Sequence, residues 1–298
     1  MVKLEVSNDF DRLDSYLISR VDKSRSKIQS MIKSGNIRVN GNNVKPSYVV
    51  HIGDVIEIDD VVEEVLSANP EKMDLDIVYE DDDVIVVNKA NGVVVHPAVG
   101  NTSGTLVNGL MYHSKNLSSI NGEFRPGIVH RIDAYTTGLL MVAKNDRAHE
   151  ILAKQLEEKK TRRVYWALVW GVIPNDTGTI DAPIGRDSND RKKMCVTAIN
   201  SKKAITHFRV LERYKSATLI ELSLETGRTH QIRVHMNYIG YPIVNDPVYG
   251  KRKIIDNSGQ CLHAKTLGFV HPTSGREMLF DSELPECFVN ILNMFKEE

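Results

Sequence analysis

Between two apolar runs, five polar side chains crowd into eight residues: His130, Arg131, Asp133, Thr136 and Thr137, within the stretch GIVHRIDAYTTG at 127–138. Ile128, Val129 and Ile132 are β-branched and predict a strand. Alternation puts Ile128, His130 and Ile132 on one face and Val129, Arg131 and Asp133 on the other. Residues 134–138 then read as a loop, with Gly138 supplying backbone freedom before a second apolar strand at 139–143. Asp133 is thereby placed where a buried strand opens into a loop. A carboxylate there is either a turn-former or a catalytic group on a rigid mount. The polar neighbours favour the second.

A chain of 298 residues is long enough for a sizeable core and two domains. No apolar run approaches the roughly 18 residues of a membrane span, and the start, MVKLEVSNDF, lacks the apolar core of a signal peptide. Cys195, Cys261 and Cys287 form no CxxC pair, which suggests neither a zinc site nor a disulfide framework and fits a reducing cytoplasm. The net charge of −1 hides an uneven distribution. Residues 20–46 carry seven Lys or Arg against Asp22 alone, whereas residues 59–83 carry eleven Asp or Glu against Lys72 alone. After residue 83 the chain has 28 basic and 21 acidic groups. Local clusters, not the total, set the field that a phosphate backbone meets.

Along the first 58 residues, Leu13, Leu17 and Val21 keep helical spacing, as do Ile28, Met31 and Ile32, with Gly35 ending the second helix. Short β-like pieces, IRVNG and DVIEI, follow, with turns at Asn40-Gly41 and Gly53-Asp54. Residues 61–75, acidic and containing Asn69-Pro70, read as a linker. Then DIVYEDDDVIVVNKANGVVVHP predicts three strands separated by an acidic turn and an Asn-Gly turn, with a short helix on Leu106, Leu110 and Met111. His96 is either a ligand or base, or a structural hydrogen-bonding group. Asp146 is the expected cap of a helix whose buried stripe is Ala148, Ile151, Leu152 and Leu156. TRRVYWALVWGV reads as a strand with Arg163, Tyr165, Ala167 and Val169 on one face. Residues 175–203 read as loop-rich, with basic clusters at 191–193 and 202–203 that are either an RNA face or ordinary surface. A strand ending at Thr226-Gly227 leads into a helix from about Thr229, with Ile232, Met236 and Ile239 in phase and Gly240 at its end. His230 and His235 are five apart, about 140° around a helix, so the i,i+4 zinc pair is absent.

These stretches carry family resemblances. GIVHRIDAYTTG resembles the HRLDxxTSG motif of the RluA/RluD-type pseudouridine synthases, with Ile132 for Leu and Thr137 for Ser. Asn88-Lys89 resembles their first motif, with Ala90 where Pro is usual, and Arg163-Val164-Tyr165 their K-x-Y motif. The stretch from Ala217 to Gly250 resembles their third motif. RLDSYLISR…SRSKIQSMIKSGNIRVNG…GDVIEI resembles an S4 RNA-binding domain. The resemblance covers nearly the whole chain. It implies an α+β fold: a mixed, mostly antiparallel sheet catalytic domain over 76–298, with a small N-terminal S4 (α-L type) domain over 1–60.

The same resemblance implies the chemistry. Uridine becomes pseudouridine when its N–C glycosidic bond breaks, the uracil turns and C5 rejoins the sugar, with no redox change. Asp133 is implied as the catalytic residue, Arg233 as its guanidinium partner and Tyr165 as the aromatic face for the flipped base. Arg131 would fill or brace the space that the base leaves. Arg25, Lys27, Lys33 and Arg38 are implied RNA phosphate contacts, with Arg228 a further one. No cofactor and no metal are expected. The implied partner is RNA, as large-subunit ribosomal RNA or a ribosome precursor, with transfer RNA the alternative substrate. A monomer in the cytoplasm, away from membranes, is expected. A non-catalytic ribosome-assembly factor on the same fold is the rival reading, against which Asp133, Tyr165 and Arg233 stand intact. A glycoside hydrolase would need two carboxylates, and only Asp133 stands in a polar motif.

Overall fold

The computed structural model describes residues 2–10, 12–21, 23–59, 68–98, 101–120, 122, 125–250 and 254–297. The chain divides into two compact units, Met1–Val65 and Leu66–Glu298. In the first, β1 (Val2–Glu5), α1 (Leu13–Ile18), α2 (Arg25–Lys33), β2 (Ile37–Val39), β3 (Asn42–Asn43) and β4 (Val55–Ile58) follow in order. The strands form an antiparallel sheet in the order β1-β4-β2-β3. The apolar stripes of both helices, including Leu13, Leu17, Ile28 and Ile32, close a core with Ile37, Val50 and Ile56. Asn40 and Gly41 both take positive φ in the turn between β2 and β3, as the Asn-Gly pair predicts. Asp14, fully buried on α1, accepts from Arg12, Arg25 and Gln29 and so ties the two helices together. The Arg12 guanidinium holds its carboxyl well below the usual carboxylate range.

The second unit runs β5 (Ile77–Glu80), β6 (Val84–Lys89), α3 (Leu106–His113), β7 (Thr137–Ala143), α4 (Asp146–Glu157), β8 (Arg162–Trp170), β9 (Thr177–Asp181), β10 (Ile184–Arg186) and β11 (Met194–Val196). It continues with β12 (Ile205–Arg213), β13 (Ala217–Leu224), α5 (Gln231–Tyr238), β14 (Leu262–Val270), β15 (Glu277–Asp281) and α6 (Glu286–Lys296). Nine strands form one sheet, β5-β6-β7-β14-β8-β13-β12-β9, with β15 beside the far half of β14. Among the described residues only the β7–β14 pair is parallel, so the mixed, mostly antiparallel α+β fold expected from the sequence is present. At the β7–β14 contact Gly138 has φ +106, and a Cβ there would run into the Ala264 backbone. Glycine is the residue that lets the two strands approach.

Several local expectations are corrected. Ile128–Ile132 is not a strand; it is irregular chain with a bend at Val129, touching β7 at one bridge, Ile128 with Val142. Alternation survives there without a ladder: Ile128 and Ile132 join the main core, and Val129 packs on a different apolar cluster. Val93–Pro97 is likewise not a strand. Residues 175–203 are loop-rich as expected, but they also carry three short strands: β9 extends the large sheet, and β10 and β11 form a hairpin. Gly178 allows that pairing, because the Phe208 ring of β12 lies over it. Asn145, not Asp146, caps α4 by accepting from the Ala148 N–H. Asp146 instead accepts from Ser118 and from the Ser119 N–H. Residues 61–67 of the predicted linker lie outside the described residues. Residues 68–75 are held on the second unit, where Asn108 donates to the Asn69 carbonyl and Glu71 accepts from the Gly104 N–H.

Candidate active site

The polar stretch of 130–137 is fixed at both ends. His130 is half-buried, and its Nε2 accepts from the Met141 N–H of β7 (3.1 Å). Burial, helped by the Arg163 charge, pushes its pKa down to about 3, so it holds the chain as a neutral ring. At the other end Thr137 Oγ1 bonds His263 Nδ1 (2.8 Å) across to β14, and Gln260 Nε2 donates to Thr136 Oγ1 (3.0 Å). Between them the Thr136 N–H donates to the Asp133 carbonyl (3.0 Å), closing a turn. Asp133 therefore is a turn residue by its backbone, while its side chain stays about a quarter exposed.

Under this turn lies Lys89, at the end of β6 and only 1 % exposed. Its ammonium donates to the carbonyls of Ala90, Val93 and Ala134 (2.7–2.8 Å), so all three donors are used. Burial pushes its pKa down to about 7, against the pull of Asp133. We expect Lys89→Met to leave three carbonyls without donors and to cost roughly 2–4 kcal/mol of stability. Denaturant unfolding of the variant checks this, and a loss below about 1 kcal/mol would contradict it.

Arg233 comes from α5, which Ile232 and Met236 anchor in the main core. Its Nη1 donates to Asp133 Oδ2 (3.0 Å). The rest of the fork, Nε and Nη2, is taken by both oxygens of Asp246 (2.7 and 2.9 Å). Asp246 is fully buried and also accepts from the Val248 and Tyr249 N–H groups. Burial alone would raise its carboxyl; Arg233 and those N–H groups outweigh that and hold it low. The second oxygen of Asp133 lies 3.9 Å from His230 Nε2, beyond hydrogen-bond distance. His230 precedes α5 at φ 56, a left-handed conformation uncommon outside glycine. Its Nδ1 bonds the Tyr249 hydroxyl (2.8 Å), which holds it there.

Around Asp133 opens a cleft of about 690 Å³. Tyr165 of β8, buried, forms part of its wall, and burial raises the phenol's pKa so that it stays neutral. Arg131 is exposed and reaches across to Thr229 (3.0 Å). Arg228 lines the same cleft, its Nε donating to the Lys203 carbonyl. Gln231 places that loop: its oxygen accepts from Thr226 and the Arg228 N–H, and its amide donates to the Ile205 carbonyl of β12. His96 is part of the wall, and burial with Arg125 and Arg131 nearby pushes it down to about 4. His235 uses both ring nitrogens inside the fold, on Thr206 and the Ala182 carbonyl.

Asp133, Tyr165, Arg233, Arg131 and Arg228 thus meet in one cleft. The other four sequence candidates lie on the first unit. Two are engaged in ion pairs there: Arg25 with buried Asp14, and Arg38 with Asp59 (3.0 Å) and Glu57 (3.7 Å). Lys33 borders a surface groove with Gln29, Lys45 and Ser47. Lys27 lies in the first turn of α2, which Ser24 caps. Sequence reasoning missed Asp246, Tyr249 and Lys89 as parts of the site. The stretch VNDPVYG contains the first two, but nothing in its pattern says which way they face.

The family model described as RNA pseudouridylate synthase matches residues 83–238, and that described as S4 domain matches residues 11–56. The chain is 54 % identical to the uncharacterized RNA pseudouridine synthase YlyB of Bacillus subtilis, over 96 % of this chain and 95 % of that protein. It is 45 % identical to the ribosomal large subunit pseudouridine synthase D of Neisseria meningitidis serogroup B, over 96 % of this chain and 79 % of the relative. Among solved structures, human RNA pseudouridylate synthase domain containing 1 superposes with a TM-score of 0.58 at 26 % identity, over 76 % of this chain and 96 % of the other.

Proposed function

The chain belongs to the RNA pseudouridylate synthase family and carries an S4 domain, and on that premise we propose that it isomerises uridines of large-subunit ribosomal RNA. The activity is that of an isomerase acting on RNA. The choice of ribosomal RNA draws on relatives named ribosomal large subunit pseudouridine synthase D. The observation that carries the residue assignment is the Asp133–Arg233–Asp246 chain in the cleft. Arg233 is clamped by a buried carboxylate and offers its remaining Nη1 to Asp133. Asp133 is therefore aimed by a charged, directional donor and keeps one oxygen toward the cleft.

In this reading the target uridine leaves the RNA stack, at a cost of a few kcal/mol. Its uracil lies against Tyr165, where stacking on an aromatic ring returns about 1–3 kcal/mol. Arg131 lets go of Thr229 and occupies the space that the base vacates. Asp133 acts as the anion while the N1–C1′ bond breaks, the uracil turns and C5 joins C1′; the proton on C5 is then released and N1 takes up a proton, so the composition is unchanged. A monomer is the proposed state. Among the described residues no helix is long and apolar enough to cross a membrane. The cytoplasm, where ribosomal RNA and its precursors are found, is the proposed location.

The test is tritium release from 5-tritiated uridine in unmodified large-subunit ribosomal RNA, with transfer RNA in parallel. Release from the ribosomal RNA alone supports the assignment; release from transfer RNA alone overturns the substrate and keeps the reaction. A second expected outcome concerns the first unit, proposed to hold RNA through phosphates. Reversing Lys33 and Lys45 to Glu should weaken RNA binding and make its dependence on salt shallower, by about 0.7 per lost contact on a single strand. An unchanged salt slope in a binding titration would remove that groove from the RNA-contact assignment.

A further inference from the structure

We propose that Arg163 is the phosphate receptor of this cleft, taking the phosphodiester that flanks the target uridine. The inference rests on the pseudouridine synthase reading. Arg163 stands on β8 two residues before Tyr165, so both side chains leave the same face of the strand. Both line the cleft.

The guanidinium is half-buried and, among the described residues, has no counter-charge bonded to it. Its Nε is buried without a hydrogen-bond partner, and among the described residues the group makes no hydrogen bond or ion pair. Among the described residues Arg125 in the same cleft also lacks a side-chain partner, but it is exposed to solvent, which can answer its charge; the other neighbouring cations differ. Arg131 has Thr229, Arg228 has the Lys203 carbonyl, Lys159 has Glu225, and Arg233 has Asp133 and Asp246. Of the carboxylates that line the cleft, Glu225 is engaged by Lys159 and His207 and Asp133 by Arg233, and the exposed Glu157 makes no ion pair with Arg163.

A confined cation without a partner is costly to keep. Arg163 is confined: its Nη1 lies 3.1 Å from the place that a Cβ on Gly227 would take, so it packs against the bare backbone of that loop. Its charge is felt by both Tyr165 and His130, which locates it between the base-stacking ring and the anchored turn. A planar fork with free donors fits a phosphate oxygen pair, and a neutral uracil edge would leave its charge unanswered. A uracil placed on Tyr165 brings its own backbone with it. The phosphodiester is thus the anion that arrives with the substrate, and it is absent from a free nucleoside.

The experiment compares the full chain with Arg163→Met, Arg163→Gln and Arg163→Lys on the RNA that the wild type modifies. Tritium release is followed under subsaturating conditions at several salt concentrations. Arg163→Met and Arg163→Gln should lower kcat/KM by roughly 30-fold, the loss expected for one charge-assisted contact. In both, the plot of log kcat/KM against log salt should be shallower by about 0.7, one phosphate contact on a single strand. Arg163→Lys should keep the wild-type slope. The melting temperature of Arg163→Gln should not fall, since no protein partner is lost. A slope unchanged in both neutral variants, with the wild type active, would overturn this inference alone. A wild type inert on ribosomal and transfer RNA would overturn the synthase reading and this inference with it. If Arg163→Met fails to fold, the slope of Arg163→Gln decides.

Discussion

Replacing Asp133 by Asn should abolish tritium release, by about 10⁴-fold or more, the upper range for a positioned acid–base group. RNA affinity should change less than about threefold, because the two side chains are nearly the same size. Stability should change by less than about 1 kcal/mol. The reason is in the geometry. Arg233 spends two of its donors on Asp246 and one on Asp133, so its charge stays answered after the substitution. The amide oxygen of the substituted side chain can still accept that third bond. The backbone turn, from the Thr136 N–H to the Asp133 carbonyl, needs no side chain. Activity and melting temperature measured on the same preparation decide the matter. Turnover within tenfold of wild type would remove Asp133 from the catalytic role, and a large drop in melting temperature would make it a structural group instead.

The opposite pattern is expected at Asp246. Asp246→Asn removes the charge opposite a buried guanidinium and turns an NH₂ toward its donors. Breaking one side of a buried pair costs about 3–5 kcal/mol, which corresponds to a fall of roughly 10 °C in a unit of this size. Activity should fall by about 100-fold, because an Arg233 that has lost its clamp no longer aims Nη1 at Asp133. The acid limb of stability should change too. The Asp246 carboxyl is held below its usual range in the folded state. Its contribution is therefore present at neutral pH and lost as pH falls through the folded value. In Asp246→Asn that part of the acid loss is missing, so the two stability curves converge toward low pH. Thermal unfolding of both proteins across the acid range checks this. A variant as stable as wild type at pH 7 would sink the clamp.

The contrast between the two carboxylates bears on how the site could be read. Asp133 lay in plain view, because a crowd of polar residues between apolar runs is a one-dimensional signal and matches a known motif. Asp246 was invisible for the opposite reason. An Asp followed by Pro reads as a turn residue, and its value depends on Arg233, thirteen positions earlier on a helix. Lys89 was legible as part of a motif but not as a buried ammonium, since three carbonyls from separate stretches converge on it only in the fold. The basic run in the first unit also needed the fold to be read. Arg25 and Arg38 count as positive charge in a composition tally, yet in the structure both are paired with carboxylates.

By itself the sequence determined the two-part organisation, the helices with clear 3.6-residue periods such as α2, α4 and α5, and the Asn-Gly turn after β2. It also marked the stretches where a carboxylate, a tyrosine and an arginine stand in polar motifs. All of these are set by neighbours within a few residues, through hydrophobic period and turn chemistry. Only the tertiary structure decided that 128–132 forms no strand, that β9 joins the sheet at β12, and which donors and acceptors meet around Asp133. Those outcomes depend on partners far away in sequence. A strand exists only when another edge accepts its hydrogen bonds, and a buried charge is tolerated only when its counter-charge arrives from elsewhere in the chain.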